Sequence, residues 1–385
     1  MAIQLTILFL LCAVLSVVAS ISVLRVSTTY GEIEGLTMPS YPSVSTQFIS
    51  VSKFLGVPFA APPIGTLRLK PPQPPNSWEP NIRQAKTHGN ICWQDTTFEF
   101  IFNPYGRNYT VSEDCLYLDV YTPNISLSLP VMVYIHGGGY GSGAAIGYPS
   151  EVLALQGVVV VVIQYRLGPF GFLTTGDSAA PGNFGMLDQV EALKWVKDTI
   201  DKFGGNVNKV TIFGESAGGS SVTLHLLSPL SDGLFHQVIA ESGVDVSPWA
   251  TQSVSFGVGF AKELAQKLNC PTENHKKMVG CIREKDAVDV QKASTSSNYR
   301  LVDYLQWAPV VDKFFLHDTP QNLRKKGSFK KTPLMISFNS NEAGIILGGM
   351  ANSLKLMGSV EQGVNSSFFC TFLSRLAHAR NLGYS

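Results

Sequence analysis

A serine between two glycines, in the run Gly-Glu-Ser-Ala-Gly at residues 214–218, carries the clearest chemical signal in this sequence. A β-branched run at 210–213 precedes it, and an apolar, helix-like segment at 222–227 follows it. Strand, Gly-x-Ser-x-Gly and helix is the order of a nucleophile elbow, a turn so tight that glycine is needed on both sides of the serine. The sequence therefore predicts that Ser216 presents its hydroxyl above a sheet as a nucleophile for acyl transfer.

A second glycine run, at residues 137–139, directly follows another predicted strand. When Ser216 attacks an acyl carbon, the former carbonyl oxygen becomes negative, and backbone N–H groups must already face that oxygen. Glycine lets the main chain come close because it has no Cβ. We therefore assign the N–H groups of Gly138, Gly139 and Ala217 as an oxyanion hole.

The elements that would position these groups are read from hydrophobic patterning. Continuous apolar, β-branched segments predict buried parallel strands; they lie at 131–135, 158–163, 210–213, 238–240 and 334–338. Apolar residues recur at steps of three and four over 186–203, which predicts an amphipathic helix, and 261–268 is a second helical segment. The alternation predicts an α/β fold, a mostly parallel sheet with helices on both faces. Ligands of such sheets bind beyond the carboxyl ends of the strands, where Ser216 and the glycine run fall.

Together these motifs resemble the type-B carboxylesterases, the family that includes the cholinesterases, over about residues 26–342. The shared motifs are Phe-Leu-Gly-Val-Pro-Phe-Ala at 54–60, Glu-Asp-Cys-Leu-Tyr-Leu at 113–118, Gly-Asn-Phe-Gly-Met-Leu-Asp-Gln at 182–189, Phe-Gly-Gly-Asn at 203–206, Gly-Glu-Ser-Ala-Gly-Gly at 214–219 and Glu-Ser-Gly at 241–243. The resemblance implies an α/β-hydrolase fold and hydrolysis of a small-molecule carboxylic ester through a serine acyl-enzyme. It implies no cofactor and no metal.

The resemblance also implies an acid and two disulfides. The family's acid is a glutamate shortly after a strand, and Glu342, after the last predicted strand, matches that pattern. It would orient the base and stabilise its cationic form. The implied cysteine pairs are Cys92–Cys115 and Cys270–Cys281. The cysteine spacing alone favours the same local pairs in an oxidising compartment and leaves buried free thiols as the alternative.

The catalytic base is the part of the family pattern that this sequence does not supply. The family's histidine lies far beyond the acid, after a late strand, whereas the sequence ends at Ser385. His378 lacks the family's flanking pattern and is interpreted as structural or exposed. His225 lies too far along the helix from the serine, and His136 is a second choice. We therefore expect the hydrolase domain at 21–385 to be C-terminally incomplete, without the late strands.

The amino terminus and the sequons indicate the compartment. An apolar run that ends in small residues near Ser20 predicts a cleaved signal peptide over residues 1–20, with a retained anchor as the alternative. Asn-x-Ser/Thr sequons at Asn108, Asn124 and Asn365 fit glycosylation in the secretory pathway. We therefore expect a secreted or luminal protein, without a membrane span once the signal is removed.

Several functional alternatives remain open at this point. A non-catalytic binding or adhesion protein of the same fold, or an inactive shortened form, is favoured by the missing base. A thioester or amide hydrolase would share the same chemistry. Choline is a less supported substrate, because cholinesterases bind it with a tryptophan that lies between the first pair of cysteines. Here only Trp93 lies in that interval, immediately after Cys92, and the nearest analogue is Phe102. A broad pocket for uncharged esters is favoured instead.

Charge argues against a nucleic-acid partner. The formal net charge is +1, and charged residues make up only 15% of the chain, without a long basic run. The short cluster at 324–326 is interpreted as a solvated turn. The sequence leaves the oligomeric state open.

Overall fold

The computed structural model describes residues 22–39, 48, 50–96, 99–295, 305–340 and 342. The predicted signal peptide, Asn365 and His378 lie outside these residues. The strands are β1 (Ser22–Thr28), β2 (Gly31–Pro39), β3 (Ser50–Pro58), β4 (Arg83–Gln84), β5 (Ile91–Cys92), β6 (Val111–Ser112), β7 (Tyr117–Thr122), β8 (Leu129–Ile135), β9 (Val159–Ile163), β10 (Gly205–Glu215), β11 (Gln237–Glu241) and β12 (Leu334–Ser337).

The helices alternate with the later strands. They are α1 (Glu99–Phe102), α2 (Glu151–Ala154), α3 (Gly168–Phe172), α4 (Phe184–Thr199), α5 (Ala217–His225), α6 (Val254–Lys267), α7 (His275–Glu284), α8 (Ala287–Ala293) and α9 (Pro320–Lys325). Helix α4 confirms the predicted amphipathic helix, although its last turn is a tighter one that ends at Gly204, and α6 confirms the second. Within the described ranges, no helix is both long and apolar enough to cross a membrane.

One ten-stranded sheet organises the described chain, in the order β1-β2-β3-β7-β9-β8-β10-β11-β12, with β4 beside β2. The path β9-β8-β10-β11-β12 contains only parallel neighbours. It confirms all five predicted strands as the parallel half of the sheet. The first four strands of the path run antiparallel, and β7 meets β9 antiparallel. The sheet is therefore mixed, and its parallel half carries the residues predicted to do chemistry.

The sheet is fully buried at its centre, where the two halves meet. All five residues of β9 are buried, as expected for a strand covered on both faces. The opposite edge differs: β12 pairs only with β11 among the described strands, and its residues are exposed. Leu334, Met335 and Ile336 are 40%, 62% and 53% exposed, so an apolar strand borders the described fold.

A buried ion pair joins the segment after β9 to helix α4. Arg166 Nε and Nη2 each donate to Asp188 at 2.7 Å, and the Arg166 backbone N–H donates to the same carboxylate at 3.0 Å. Both side chains are almost fully buried, so each charge depends on the other for its solvation. The pair thereby fixes α4 against the sheet.

The interpretation of the basic cluster at 324–326 as a solvated turn is wrong for Arg324 alone. Lys325 and Lys326 are exposed, and Lys326 begins a turn, as expected. Arg324 belongs to α9 and donates from Nε and Nη2 to the buried carboxylate of Asp245, at 2.8 and 2.9 Å. Lys326 pairs with Asp318 at 2.8 Å. The partner of Arg324 is remote in sequence, which is why local composition did not reveal it.

Replacement of Asp188 by asparagine should destabilise the fold by about 3–5 kcal/mol, because it leaves a buried guanidinium without a counter-charge. The measurement is the free energy of unfolding from urea titration. Asp201→Asn is the matched control, since Asp201 pairs with Lys202 at the surface, where such pairs contribute about 0–1 kcal/mol. Equal effects of the two substitutions would contradict this role of the buried pair.

Candidate active site

Ser216 lies between the end of β10 and the start of α5, as the sequence predicts. Its backbone has φ 55° and ψ −118°, a region that a residue with a Cβ avoids. Its N–H donates to the Glu241 carbonyl of β11 at 2.8 Å. The serine is thus held in a strained turn by the neighbouring strand, the geometry of a nucleophile elbow.

Close approach of the backbone explains the glycines of the turn. A methyl group at Gly218 would lie 2.0 Å from the Ile135 carbonyl oxygen at the end of β8, and one at Gly214 would lie 2.5 Å from the same atom. A methyl group at Gly243 would lie 2.1 Å from the Ser216 carbonyl oxygen. Any side chain at these positions would push α5 away from the sheet.

The oxyanion loop, defined here as residues 136–143, passes directly beside the serine. A methyl group at Gly137 would lie 3.1 Å from Ser216 Cβ. The Gly138 carbonyl accepts hydrogen bonds from the backbone N–H groups of Gly141, at 3.1 Å, and Ser142, at 2.9 Å. Because the N–H of a trans peptide points opposite to its C=O, the N–H of Gly139 faces away from Ser142. The loop thereby fixes the direction of the Gly139 N–H.

Glu342 follows the third of three adjacent parallel strands. Ser216 follows β10, Ser242 follows β11 and Glu342 comes shortly after β12, so the three residues share the carboxyl edge of the sheet. Glu342 Oε1 accepts the backbone N–H of Asn339 at 2.6 Å. The Ser242 hydroxyl, and then this N–H, hold the pKa of Glu342 below its usual range. The carboxylate is therefore ionised and oriented near the serine's side of the sheet.

Ser242 is a site residue that the sequence analysis did not single out. It has a positive φ of 52°, and its N–H donates to the Ser337 carbonyl at 2.8 Å. Its hydroxyl forms a hydrogen bond with the Glu342 carboxylate. The signal was present in the motif Glu-Ser-Gly at 241–243, which ends a strand just as the Ser216 motif does.

A second carboxylate adds negative potential at this edge. Glu215 packs its carboxyl group against Gly137, and desolvation there raises its pKa. The charges of Glu241 and Glu342 raise that pKa further. Such a site favours a cation, which is what an imidazole becomes when it accepts a proton.

The two buried histidines near the elbow are engaged elsewhere. His136 Nδ1 binds the Gly137 carbonyl at 2.9 Å, and its ring stacks on Tyr165, with centroids 4.5 Å apart. His225 is held between Ser231 Oγ at 2.7 Å and Gln189 Oε1 at 2.9 Å. Burial lowers the pKa of His136 to about 4 and that of His225 to about 3. Both are neutral structural histidines at neutral pH, so neither fits the role of base.

Both expected disulfides, Cys92–Cys115 and Cys270–Cys281, are formed. Phe102, the proposed analogue of the choline-binding tryptophan, is fully buried and packs edge-on against Tyr109 at 5.7 Å. A buried ring has no face open to a ligand cation. Among the described residues, no group of three or more His, Cys, Asp or Glu side chains is placed to hold a metal ion.

The sheet order, the strained serine between strand and helix, and the glycine loop beside it are the architecture of an α/β hydrolase. The sequence model of the carboxylesterase family matches residues 22–381, and the chain belongs to this family.

Individual relatives support the same assignment. The chain is 42% identical to human cocaine esterase over 322 residues, 81% of this chain and 56% of that protein. It is 40% identical to mouse carboxylesterase 5A, over 85% of this chain and 56% of the relative. It is 41% identical to rat liver carboxylesterase 1F, over 84% of this chain and 60% of the relative. The chain thus spans less than two thirds of the length of these relatives.

The neutral burial of His225 predicts an acid-sensitive fold. Its folded pKa of about 3 lies below the ordinary 6.5, so the unfolded chain binds a proton that the folded chain does not. The contribution of neutral His225 to stability is fully present above pH 6.5. Below that pH it falls by about 1.4 kcal/mol per pH unit, down to the folded pKa. Between pH 7 and pH 5, the free energy of unfolding of His225→Gln should fall by about 2 kcal/mol less than that of the parent.

Urea unfolding at several pH values measures this difference. His317→Gln, at an exposed histidine, is the control and should keep the parent slope. An unchanged slope in His225→Gln would show that His225 does not carry the acid sensitivity.

Proposed function

We propose that the protein hydrolyses carboxylic esters through a covalent acyl-enzyme on Ser216. The observation that carries the proposal is the elbow itself: a strained serine at the carboxyl edge of the sheet, directly beside a glycine loop. Membership of the carboxylesterase family supports ester hydrolysis as the reaction. The details of the mechanism follow from the placement of the neighbouring groups.

In the first half-reaction, Ser216 Oγ attacks the ester carbonyl carbon while an imidazole base takes its proton. The base then gives that proton to the departing alcohol, and the acyl group stays on the serine. Glu342 orients the imidazole and stabilises its cationic form. In the second half-reaction, water attacks the acyl-enzyme with the same base, and the acid is released. In the described part of the chain no histidine ring hydrogen-bonds to Ser216 or Glu342, so no residue is assigned as the base.

The oxyanion is stabilised by the N–H groups of Gly138, Gly139 and Ala217. The Ala217 N–H is the first of α5 and has no carbonyl one turn before it, so it is available to a ligand. The Gly139 N–H is directed by the hydrogen bonds on the Gly138 carbonyl. Fixed donors of this kind bind the transition state without reorganisation.

The proposed substrates are uncharged esters of small molecules. The buried position of Phe102 removes the aromatic face that a choline ester would need there. The relatives cocaine esterase and carboxylesterase 5A are esterases by name, which supports an ester as the substrate. A thioester or amide substrate would use the same groups, and nothing in the described site favours one over an ester.

We also propose that the protein passes through the secretory pathway, with residues 1–20 as a cleaved signal and the hydrolase domain from residue 21. The two disulfides support an oxidising compartment. Asn108 and Asn124 are exposed and therefore accessible to glycosylation, and Asn365 is a further sequon.

Non-catalytic binding is the second candidate, and one observation favours it. Among the described histidines, the rings of His88, His136, His225, His236 and His275 all bond to partners other than the serine. A serine without a base is a poor nucleophile. Steady-state hydrolysis of a nitrophenyl ester that disappears in Ser216→Ala separates catalysis from binding alone.

A fluorophosphonate probe should label the protein at Ser216, because the serine oxygen displaces fluoride from phosphorus while a base takes the hydroxyl proton, and the oxyanion hole stabilises the charge on the phosphoryl oxygen. Peptide mass mapping identifies the labelled residue. Ser216→Ala should abolish labelling, whereas Ser178→Ala, at an exposed serine, should leave it unchanged. Labelling that persists in Ser216→Ala would refute the assignment of the nucleophile.

A further inference from the structure

Gln94 lies in the loop that the Cys92–Cys115 disulfide closes, two residues after Cys92. Its side chain is buried, and its amide makes hydrogen bonds on both ends. Nε2 donates to the Gly143 carbonyl at 2.9 Å and to the Cys92 carbonyl at 3.1 Å. Oε1 accepts the Gly143 N–H at 2.8 Å. One side chain therefore holds both backbone groups of Gly143.

Gly143 is the last residue of the oxyanion loop and packs on the first two. A methyl group at Gly143 would lie 2.2 Å from His136 Nδ1 and 2.5 Å from the Gly137 carbonyl oxygen. The end of the loop is thus pressed against its beginning, at the point where Gly137 passes the serine. A displacement of Gly143 would therefore move both ends of the oxyanion loop.

The residue before Gly143 transmits the same constraint to the hole. Ser142 donates to the Gly138 carbonyl from its backbone N–H at 2.9 Å and from its hydroxyl at 3.1 Å. These bonds set the plane of the peptide between Gly138 and Gly139, and with it the direction of the Gly139 N–H. A short path of contacts therefore runs from Gln94 through Gly143 and Ser142 to a donor of the hole.

Two other contacts of the disulfide loop reach the segment just after the oxyanion loop. Phe102 packs in a small apolar cluster with Ala144 and Ile146. Arg107 Nη1 donates to the Ile146 carbonyl at 2.9 Å. These contacts anchor the following segment, whereas Gln94 bonds to the loop itself.

We propose that Gln94 is a positioning residue that holds the oxyanion hole in its working shape, an inference that rests on the proposed esterase function. The amide suits this task because Gly143 offers one donor and one acceptor, and a neutral amide carries the matching acceptor and donor side by side. Leucine removes both bonds at similar size. Glutamate keeps the acceptor and turns a carboxylate oxygen toward two carbonyls. The disulfide contributes by fixing the backbone that carries Gln94.

Hydrogen exchange measured by mass spectrometry tests the positioning directly on the full chain. In Gln94→Leu, peptides covering residues 136–143 should exchange about tenfold faster, while peptides covering α5 keep the parent rate. Gln94→Glu should change in the same direction, and it carries the test if the leucine variant does not fold. Gln73→Leu is the matched control, since Gln73 is exposed, and it should behave as the parent.

The proposal is overturned if exchange over 136–143 is unchanged in the Gln94 variants. It is equally overturned if α5 accelerates together with the loop, because Gln94 would then only stabilise the fold.

The rate of fluorophosphonate labelling supplies the functional arm. The maximal labelling rate should fall about tenfold in Gln94→Leu, with the probe's binding constant unchanged, because the hole acts in the transition state. A parent chain that does not label would contradict the esterase proposal and leave the exchange result to decide the role of Gln94. A parent that labels, with a Gln94→Leu variant that labels equally fast, would contradict the positioning role.

Discussion

The close packing of the first turn of α5 on the carboxyl end of β8 is the constraint on which the site depends. Gly218 approaches the Ile135 carbonyl so closely that no side chain fits between them. This contact leaves Ser216 a single path from strand to helix, through a positive φ. The strained conformation costs about 1–3 kcal/mol, which the packed core around it has to offset. In return, the hydroxyl and the Ala217 N–H emerge together at the edge where the glycine loop arrives.

Electrostatics divides the titratable groups around this turn into two classes. Burial keeps His136 and His225 neutral, and their hydrogen bonds make them part of the framework. At the sheet edge, the hydrogen bond from the Ser242 hydroxyl lowers the pKa of Glu342, whereas desolvation, and then the neighbouring carboxylates, raise the pKa of Glu215. The two buried histidines are therefore uncharged, whereas the open edge is acidic and suited to a cationic imidazole.

The parts of the fold that the sequence predicted are those with strong local signals. The five apolar strands, helix α4, Ser216 and the glycine run each have a strong signal within one short segment of the chain. Strands β1–β3 and β7 were missed because polar residues interrupt their apolar runs. Of these, β1 is a largely exposed edge strand, whereas β3 and β7 are mostly buried inside the sheet. Three contacts join residues that are remote in sequence: the ion pair of Arg324 with Asp245, the hydrogen bond of Ser242 to Glu342 and the hydrogen bonds of Gln94 to Gly143. Only the folded chain shows such contacts, since residue type at one position does not reveal its partner.

The structure of the protein with a phosphonyl group bound to Ser216 would show whether the backbone N–H groups of Gly138, Gly139 and Ala217 form the oxyanion hole. We expect the phosphoryl oxygen to lie about 2.7–3.1 Å from these three backbone nitrogens. We also expect the oxyanion loop to keep its hydrogen bonds to Gln94 in the adduct. A phosphoryl oxygen that points to solvent, with these three N–H groups bonded elsewhere, would show that they do not form the hole.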